Sequence, residues 1–266
     1  NGQAICWGQV NASSQCGNGN TNDVDPGQSI AGMSAGVGNI EMGAEHSCMV
    51  VNGSVHCWGD NTYGQLANDI VGMGGSTNTA LQIRGGLATG IQAVAAGQKH
   101  TCVLSGGKVY CWGSNSGSQL GNSSAIINSP TNLVKSTDTS SPSNKDASGN
   151  LINVQSIDAG YSHTCAIASG RVYCWGSNDY LQLALTNQTP LPVAGDPVTG
   201  LIGASAIATG AYHTCAIVGE TSPSIKGGVV KCWGSNEQGQ LGATTTNTCN
   251  VAGMANPQKC SSSPVT

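Results

Sequence analysis

Short stretches in which apolar and polar residues alternate recur along the chain, and turn-forming dipeptides separate them. The clearest is Ala159–Trp175, AGYSHTCAIASGRVYCW, in which Ser169-Gly170 stands between two such stretches. Alternation with a period of two is typical of β-strands, and a dipeptide ending in Gly between two of them indicates a tight hairpin turn. The segment is therefore predicted to form two short antiparallel strands.

The same hairpin occurs four times, and its second half occurs once more. Near copies begin at His46, His100 and His213, and the half copy is Ile5–Gly8. Each copy ends on a Trp-Gly pair, and these pairs follow one another at intervals of roughly 50 to 60 residues, as in propeller blades or stacked arrays. The extra length falls in polar, loop-like tracts at 136–150 and 219–228.

A cysteine stands at the same depth in both strands of each hairpin. Centring each pair on its turn makes the two cysteines the fourth residue pair outward, which is a non-hydrogen-bonded pair whose Cα atoms lie close together. That separation is within reach of a disulfide. The predicted cross-strand disulfides are Cys48–Cys57, Cys102–Cys111, Cys165–Cys174 and, across a longer turn, Cys215–Cys232.

Four cysteines lie outside the hairpins: Cys6, Cys16, Cys249 and Cys260. They allow three pairings. The local bridges Cys6–Cys16 and Cys249–Cys260 are preferred because both enclose short polar loops. The alternative, in which bridges fasten the two ends of the chain together, stays open.

Composition narrows the function classes. Only 8% of residues are charged, the formal net charge is −4 and nine residues are basic, which disfavours nucleic acid as a partner because that needs clustered Lys and Arg. No apolar run reaches the roughly 18 residues of a membrane span, so no membrane insertion is expected. Twelve regularly placed cysteines indicate an oxidising compartment, and we expect a secreted, extracellular or cell-surface protein.

The hairpin and its flanks resemble the repeats of the regulator-of-chromosome-condensation family, in particular secreted, disulfide-containing bacterial members. The family pattern is Gly-x-x-His-Thr, a strand, Trp-Gly-x-Asn, and then Gly-Gln-Leu-Gly. The resemblance implies an all-β fold, a β-propeller of four-stranded blades around a central channel, usually seven in number. The residues that carry it include Gly160, His163, Thr164, Trp175, Gly176, Asn178, Gln119, Leu120, Gly121 and Gly239–Gly242.

About five repeats are visible, which we assign to a single propeller domain over 1–266. The last four residues, Ser263–Thr266, resemble an outer strand that opens a further repeat, and the first Trp-Gly strand lacks a hairpin partner. We therefore expect a larger ring, an unusually closed one, or a homo-oligomer in which a neighbouring subunit completes the terminal blade. The expected repeat units are 1–40 (partial), 41–90, 91–150, 151–200 and 201–266.

The repeated histidines are candidates for metal or acid–base chemistry, since each precedes a cysteine by two residues. A residue repeated in every unit is better explained as a frame residue that satisfies a backbone turn. Asp/Asn clusters at 23–25 and 138–150 are ordinary turn chemistry rather than calcium loops. No convergent pair of acids is visible, so we expect neither metal, cofactor nor enzymatic activity.

The residues that vary beside the constant frame are the candidate binding residues. In propellers that this chain resembles, the positions just before the repeated His face the top of the ring, where partners bind. The function expected is an extracellular binding or adhesion module for a protein or carbohydrate ligand on a cell surface, or for other subunits of a surface fibre. The alternative is an inhibitor or partner of a secreted enzyme, and a propeller-type hydrolase or lyase is less favoured. The candidates are Glu45, Lys99, Tyr161 and Tyr212 before the His, and Tyr63 and Tyr180 after Trp-Gly.

Overall fold

The structure is a computed structural model of the chain. It divides into two compact units, one of residues 1–116 with 124–133 and the other of residues 117–123 with 134–266. The single domain predicted over 1–266 stays a prediction. Of the features named from the sequence, most of the polar tract at 219–228 lies outside the described residues. The side chain of Asp25, in the cluster at 23–25, also lies outside them. The structure describes residues 3–8, 13–33, 35–68, 74–85, 87, 89–123, 130, 131, 133–219, 228–245, 247–251, 254 and 256–266.

The first unit consists of three antiparallel sheets. A two-stranded sheet pairs β1 with β2, a four-stranded sheet has the order β3-β4-β5-β6, and a three-stranded sheet has the order β7-β8-β9. The strands are β1 (Ile5–Gly8), β2 (Val24–Ser29), β3 (Val37–Met42), β4 (His46–Val51), β5 (Ser54–Asp60), β6 (Ser76–Gln82), β7 (Ile91–Ala96), β8 (His100–Ser105) and β9 (Lys108–Gly113).

The second unit holds a sheet of order β10-β11-β12 and a five-stranded sheet of order β13-β14-β15-β17-β16. One 3-10 turn, Pro142–Asn144, lies in the insert before β10, and the described residues contain no α-helix and no helix that could cross a bilayer. The all-β prediction is confirmed. The strands are β10 (Val154–Ala159), β11 (His163–Ala168), β12 (Arg171–Gly176), β13 (Ala204–Thr209), β14 (His213–Val218), β15 (Val229–Ser235), β16 (Thr248–Cys249) and β17 (Gln258–Val265).

The predicted hairpins form in the predicted register. Both central residues of the Asn52-Gly53 turn have positive φ, at 50° and 78°, and Ser169-Gly170 has 49° and 72°. A type I′ turn needs two such residues, which Gly and Asn tolerate best. Cys48 faces Cys57 and Cys165 faces Cys174, four pairs out from the turn.

All twelve cysteines are paired as preferred. The hairpin disulfide Cys165–Cys174 joins Cα atoms 4.1 Å apart, and the other three hairpin disulfides have the same separation. The bridges Cys6–Cys16 and Cys249–Cys260 also form, with Cα separations of 5.5 and 6.1 Å. The alternative that fastened the ends of the chain together is therefore wrong in this structure.

Each unit buries its core between neighbouring sheets. In the second unit, one face of the β11–β12 hairpin packs against β13–β15. The matching face of the β4–β5 hairpin packs against β7–β9 in the first unit. Within the second unit these contacts join Cys165, Ile167, Val172 and Cys174 to Ala204, Ala216, Val218 and Trp233.

Ser263–Val265 lie in a strand, as predicted, but this strand belongs to the sheet of β15 and does not open a further repeat. These residues end β17, which pairs antiparallel with β15, so that Val265 faces Cys232 and Ser261 faces Gly234. The strand occupies the place that β6 occupies beside β5 in the first unit. The free edge of the Trp-Gly strand supplies the backbone partners that order this polar segment.

Candidate binding surface

The repeated histidines belong to the frame. His46 and His163 are fully buried, and their Nε2 atoms lie 2.9 and 3.0 Å from the hydroxyls of Thr101 and Thr214 in the next repeat. The partner is thus a side chain of the following sheet rather than the backbone turn that we expected. Burial lowers the pKa of His46 to about 4 and that of His163 to about 3.

The Gly of the Gly-x-x-His-Thr pattern makes room for the imidazole. A Cβ atom on Gly160 would lie 2.1 Å from Cε1 of His163, and one on Gly210 would lie 2.0 Å from Cε1 of His213. No side chain fits there unless the ring moves. The pattern Gly-x-x-His is therefore a packing requirement.

The same frame holds the residue before each His in place. The amide N–H that follows each Trp-Gly donates to the carbonyl of that residue, from Asp60 to Glu45 and from Ser235 to Tyr212, both at 2.8 Å. The backbone is thus fixed on the frame while the side chain is presented outward. Sequence variation at these positions changes the surface without changing the sheet.

Three predicted binding residues of the second unit come together as an aromatic cluster. The rings of Tyr180 and Tyr212 stack with centroids 4.4 Å apart, and Tyr161 lies 5.2 Å from Tyr212 at a tilt of 39°. Tyr161 is 37% exposed, whereas Tyr180 is only 9% exposed. Tyr180 was predicted as a binding residue, but its ring is buried because Tyr212 covers it.

The tyrosine cluster lies beside negative charge. Burial raises the pKa values of Tyr180 and Tyr212, and the carboxylate of Asp179 raises both further. Glu237 also raises the pKa of Tyr180. The phenols therefore stay protonated and available as hydrogen-bond donors, next to two acidic side chains.

The other predicted residues lie in the first unit. The Nζ atom of Lys99 sits 4.7 Å from the centroid of the Tyr63 ring, within the distance of a cation–π contact. Glu45 is exposed, and both Lys99 and Tyr63 are half-buried. The structure brings Lys99 and Tyr63 together and leaves Glu45 as an exposed acidic side chain.

The acidic tract at 138–150 is used internally. Asp138 is buried, and its carboxylate accepts hydrogen bonds from the Tyr173 hydroxyl at 2.7 Å and from the amides of Ser140 and Ser141. Burial by itself raises the pKa of Asp138, but these bonds outweigh it and hold the pKa below its ordinary value. Asp146 similarly caps its own turn by accepting from Ser148 and Asn150.

No metal centre is visible in the described part of the chain, where no group of three or more His, Cys, Asp or Glu side chains could hold an ion.

The Tyr173–Asp138 contact was not predicted from the sequence because the two residues are far apart in the chain. The stacking of Tyr180 under Tyr212 was also missed, for the same reason. No local pattern marks either contact.

These features define a class of protein, a disulfide-containing repeat protein built from propeller blades, whose frame is constant and whose loops vary. Comparison with known protein families supports this class. The model of the regulator of chromosome condensation (RCC1) repeat matches residues 106–167 and 169–217, and a second model of that repeat matches 39–65, 91–119 and 154–182. The chain belongs to the RCC1 repeat family, and its fold is that of the RCC1 β-propellers.

Individual relatives are longer than this chain. The ultraviolet-B receptor UVR8 of Arabidopsis thaliana is 29% identical over 192 residues, which is 70% of this chain and 40% of the receptor. The probable E3 ubiquitin-protein ligase HERC4 of Mus musculus is 32% identical over 148 residues, 54% of this chain and 13% of the ligase. Such short coverage carries no enzymatic activity over to this chain.

Solved structures show the same fold. Human WBSCR16 superposes with a TM-score of 0.74 at 18% identity and covers 98% of this chain, which in turn covers 61% of it. Yeast RCC1 (Prp20), solved bound to Kap60, superposes with a TM-score of 0.71 at 22% identity, with 97% and 57% coverage. A further structure of Prp20p from Saccharomyces cerevisiae has a TM-score of 0.70 at 22% identity, with 97% and 58% coverage.

Proposed function

We propose that this chain is an extracellular binding module that recognises another protein through its tyrosine cluster, Tyr161, Tyr212 and the supporting Tyr180. The stacked arrangement of these rings is the observation that carries the proposal. A cluster held on a rigid frame loses little conformational entropy on binding, and tyrosines are enriched among the residues that dominate protein interfaces.

The surroundings of the cluster indicate the chemistry of the partner. The negative charges of Asp179 and Glu237 raise the pKa of the buried Tyr180. The partly exposed ring of Tyr161 offers a π-face. Both features favour a cationic group, because carboxylates and aromatic faces each attract Lys and Arg side chains. The proposed partner therefore presents a basic residue to the cluster.

Relatives support a protein rather than a glycan as the partner. Yeast RCC1 (Prp20) is described in complex with Kap60, and Prp20p is described with binding properties to Gsp1p and histones. These are properties of those proteins, and we carry over only the class of ligand. The six disulfides support an oxidising, extracellular setting for this chain.

The proposal is tested by affinity capture from the culture medium and the cell surface of the source organism, with quantification of what is retained. We expect one stoichiometric protein on the wild-type chain, and at least about tenfold less on Tyr161→Ala and Tyr212→Ala, since interface tyrosines are frequent hot spots. The melting temperature should stay nearly unchanged for Tyr161→Ala because that ring is partly exposed.

The matched control is Ile202→Ala, which truncates a more exposed apolar side chain, 72% exposed, that is not part of the cluster. Capture of a secreted enzyme would make the chain its inhibitor or partner, and capture from the cell surface would make it an adhesion module. Equal capture by the tyrosine variants and the control would refute the assignment of the site. Binding on a glycan array with no protein retained would refute the protein partner.

A further inference from the structure

A hydrogen bond between a tryptophan and a glutamine carbonyl joins successive repeats at four places in the described residues. The indole Nε1 of Trp58 donates to the carbonyl of Gln15 at 2.7 Å, and that of Trp112 donates to Gln65 at 2.8 Å. In the second unit, Trp175 donates to Gln119 at 2.9 Å and Trp233 to Gln182 at 2.8 Å. In each case the glutamine belongs to the repeat that precedes the tryptophan.

Each glutamine carbonyl accepts a second hydrogen bond. The carbonyl and the residue two places after the glutamine form a small site, here called the seat, that receives the tryptophan indole of the next repeat. A hydroxyl from the next repeat donates to the same oxygen, as Thr101 does to Gln65 at 2.9 Å and Thr214 does to Gln182 at 3.1 Å. The residue two places after the glutamine contacts the indole. A Cβ atom on Gly121 would lie 2.7 Å from Nε1 of Trp175.

One seat of this kind is vacant. Gln240, Leu241 and Gly242 repeat the Gln-Leu-Gly loop at the last sheet of the second unit. Among the residues that the structure describes, the Gln240 carbonyl has no hydrogen-bond partner. A Cβ atom on Gly242 would meet nothing within 4 Å, in contrast to Gly121.

One face of the last hairpin, β14–β15, is apolar and open. Ile217 and Val230 are 37% and 55% exposed and line a groove of about 250 Å³ with Cys215. The preceding sheet buries the matching residues, Ile167 and Val172, against β13–β15. The chain thus shows within itself what covers such a face, namely the edge of another repeat that brings a tryptophan to the glutamine carbonyl.

One tryptophan lacks a seat. Trp7 is 73% exposed, whereas the other four tryptophans are at most 1% exposed. Its neighbour two residues earlier on β1, Ile5, points to the same side of the strand and is 52% exposed. No hydrogen bond to Trp7 Nε1 is present in the described part of the chain.

We propose that a second copy of this chain docks head to tail, with Trp7 of one copy inserted in the seat formed by Gln240 and Gly242 of the next. Trp7 then donates to the Gln240 carbonyl, and Ile5 covers part of the Ile217–Val230 face. The two surfaces differ, so the contact is heterologous and leaves one free Trp7 and one free seat on every dimer. A desolvated tryptophan in a pocket is the usual anchor of such an interface.

The test is sedimentation velocity of the oxidised chain from about 1 to 100 µM, with tryptophan emission recorded on the same samples. We expect concentration-dependent association accompanied by a blue shift, because Trp7 is the exposed tryptophan that becomes buried. Trp7→Ala should weaken association at least about 30-fold, as truncation of a hot-spot tryptophan does. Val230→Glu should have a similar effect from the other side, and Ile202→Glu should leave association unchanged.

Mixing the two interface variants makes the test specific. Each variant alone is expected to be monomeric, and an equimolar mixture should form 1:1 dimers that grow no further, because Trp7→Ala retains the seat and Val230→Glu retains Trp7. Circular dichroism and melting temperature establish that both variants are folded. A wild-type chain that stays monomeric at 100 µM overturns the proposal. Unimpaired association of Trp7→Ala also overturns it, and so does a mixture of the two variants that forms no dimers. The proposal is equally overturned if this face of the wild-type chain binds only another protein.

Discussion

Acidification between pH 7 and pH 5 should destabilise the protein through its buried histidines. His46 and His163 are fully buried, and the Nε2 atom of each contacts a threonine hydroxyl. Burial is the largest cause that lowers their pKa values from 6.5 to about 4 and about 3. Asp60 partly offsets the effect at His46, and the charge of His213 adds to it at His163.

The sign and the magnitude follow from proton linkage. Below pH 6.5 the unfolded chain binds a proton at each of these histidines and the folded chain does not, so the free energy of unfolding falls as the pH falls. With folded pKa values of about 4 and about 3, each histidine costs about 2 kcal/mol between pH 7 and pH 5, or about 4 kcal/mol together. That is a large fraction of the 5–15 kcal/mol that typically stabilises a protein.

The measurement is urea unfolding of the oxidised chain at pH 7, 6 and 5, followed by tryptophan fluorescence. His46→Gln and His163→Gln each remove one titrating group, and each should reduce the loss of stability over this range by about 2 kcal/mol even where it lowers stability at pH 7. The raised pKa of Asp158, caused mainly by burial, acts in the opposite direction as its carboxyl becomes protonated. An unfolding free energy independent of pH from 7 to 5, or equal slopes in the variants and the wild type, would refute the reasoning.

Two further substitutions test the frame by the same urea assay. Replacing Cys165 and Cys174 together by Ala should cost about 2–3 kcal/mol, because their disulfide closes a short loop with a sequence separation of 9; a loss below about 0.5 kcal/mol would contradict this. Tyr173→Phe removes the hydroxyl that donates to buried Asp138 at 2.7 Å and should cost about 1–3 kcal/mol, which a wild-type midpoint would disprove.

The hairpins were predictable because local chemistry specifies them. Asn52-Gly53 and Ser169-Gly170 adopt positive φ angles that few other dipeptides tolerate, and this turn sets the register in which Cys165 faces Cys174. The bounds and the pairing of the outer strands were not predictable. β6 and β17 are polar and lack strict alternation, and they are ordered by pairing with the edge of a Trp-Gly strand.

The candidate site was predictable only as positions. The frame pattern indicated that Tyr161, Tyr212 and Tyr180 vary beside constant residues, but their contact depends on how two neighbouring repeats pack. That packing also made Tyr180 a buried support rather than an exposed ring. Distances between repeats are not encoded in a single repeat.

The sequence by itself determined the repeat, the hairpin register, the disulfide pairs within hairpins and the family, since each depends on residues close together in the chain. Only the tertiary structure decided what the frame residues are for. The imidazole of His46 is hydrogen-bonded to a hydroxyl of the next repeat, and the indole of Trp112 donates a hydrogen bond to a carbonyl of the preceding repeat. Hydrogen bonds of this kind join residues about fifty positions apart, and only packed sheets bring such residues within 3 Å. The exposure of Trp7 stands out only in comparison with the four buried tryptophans, each of which is bonded to a glutamine carbonyl.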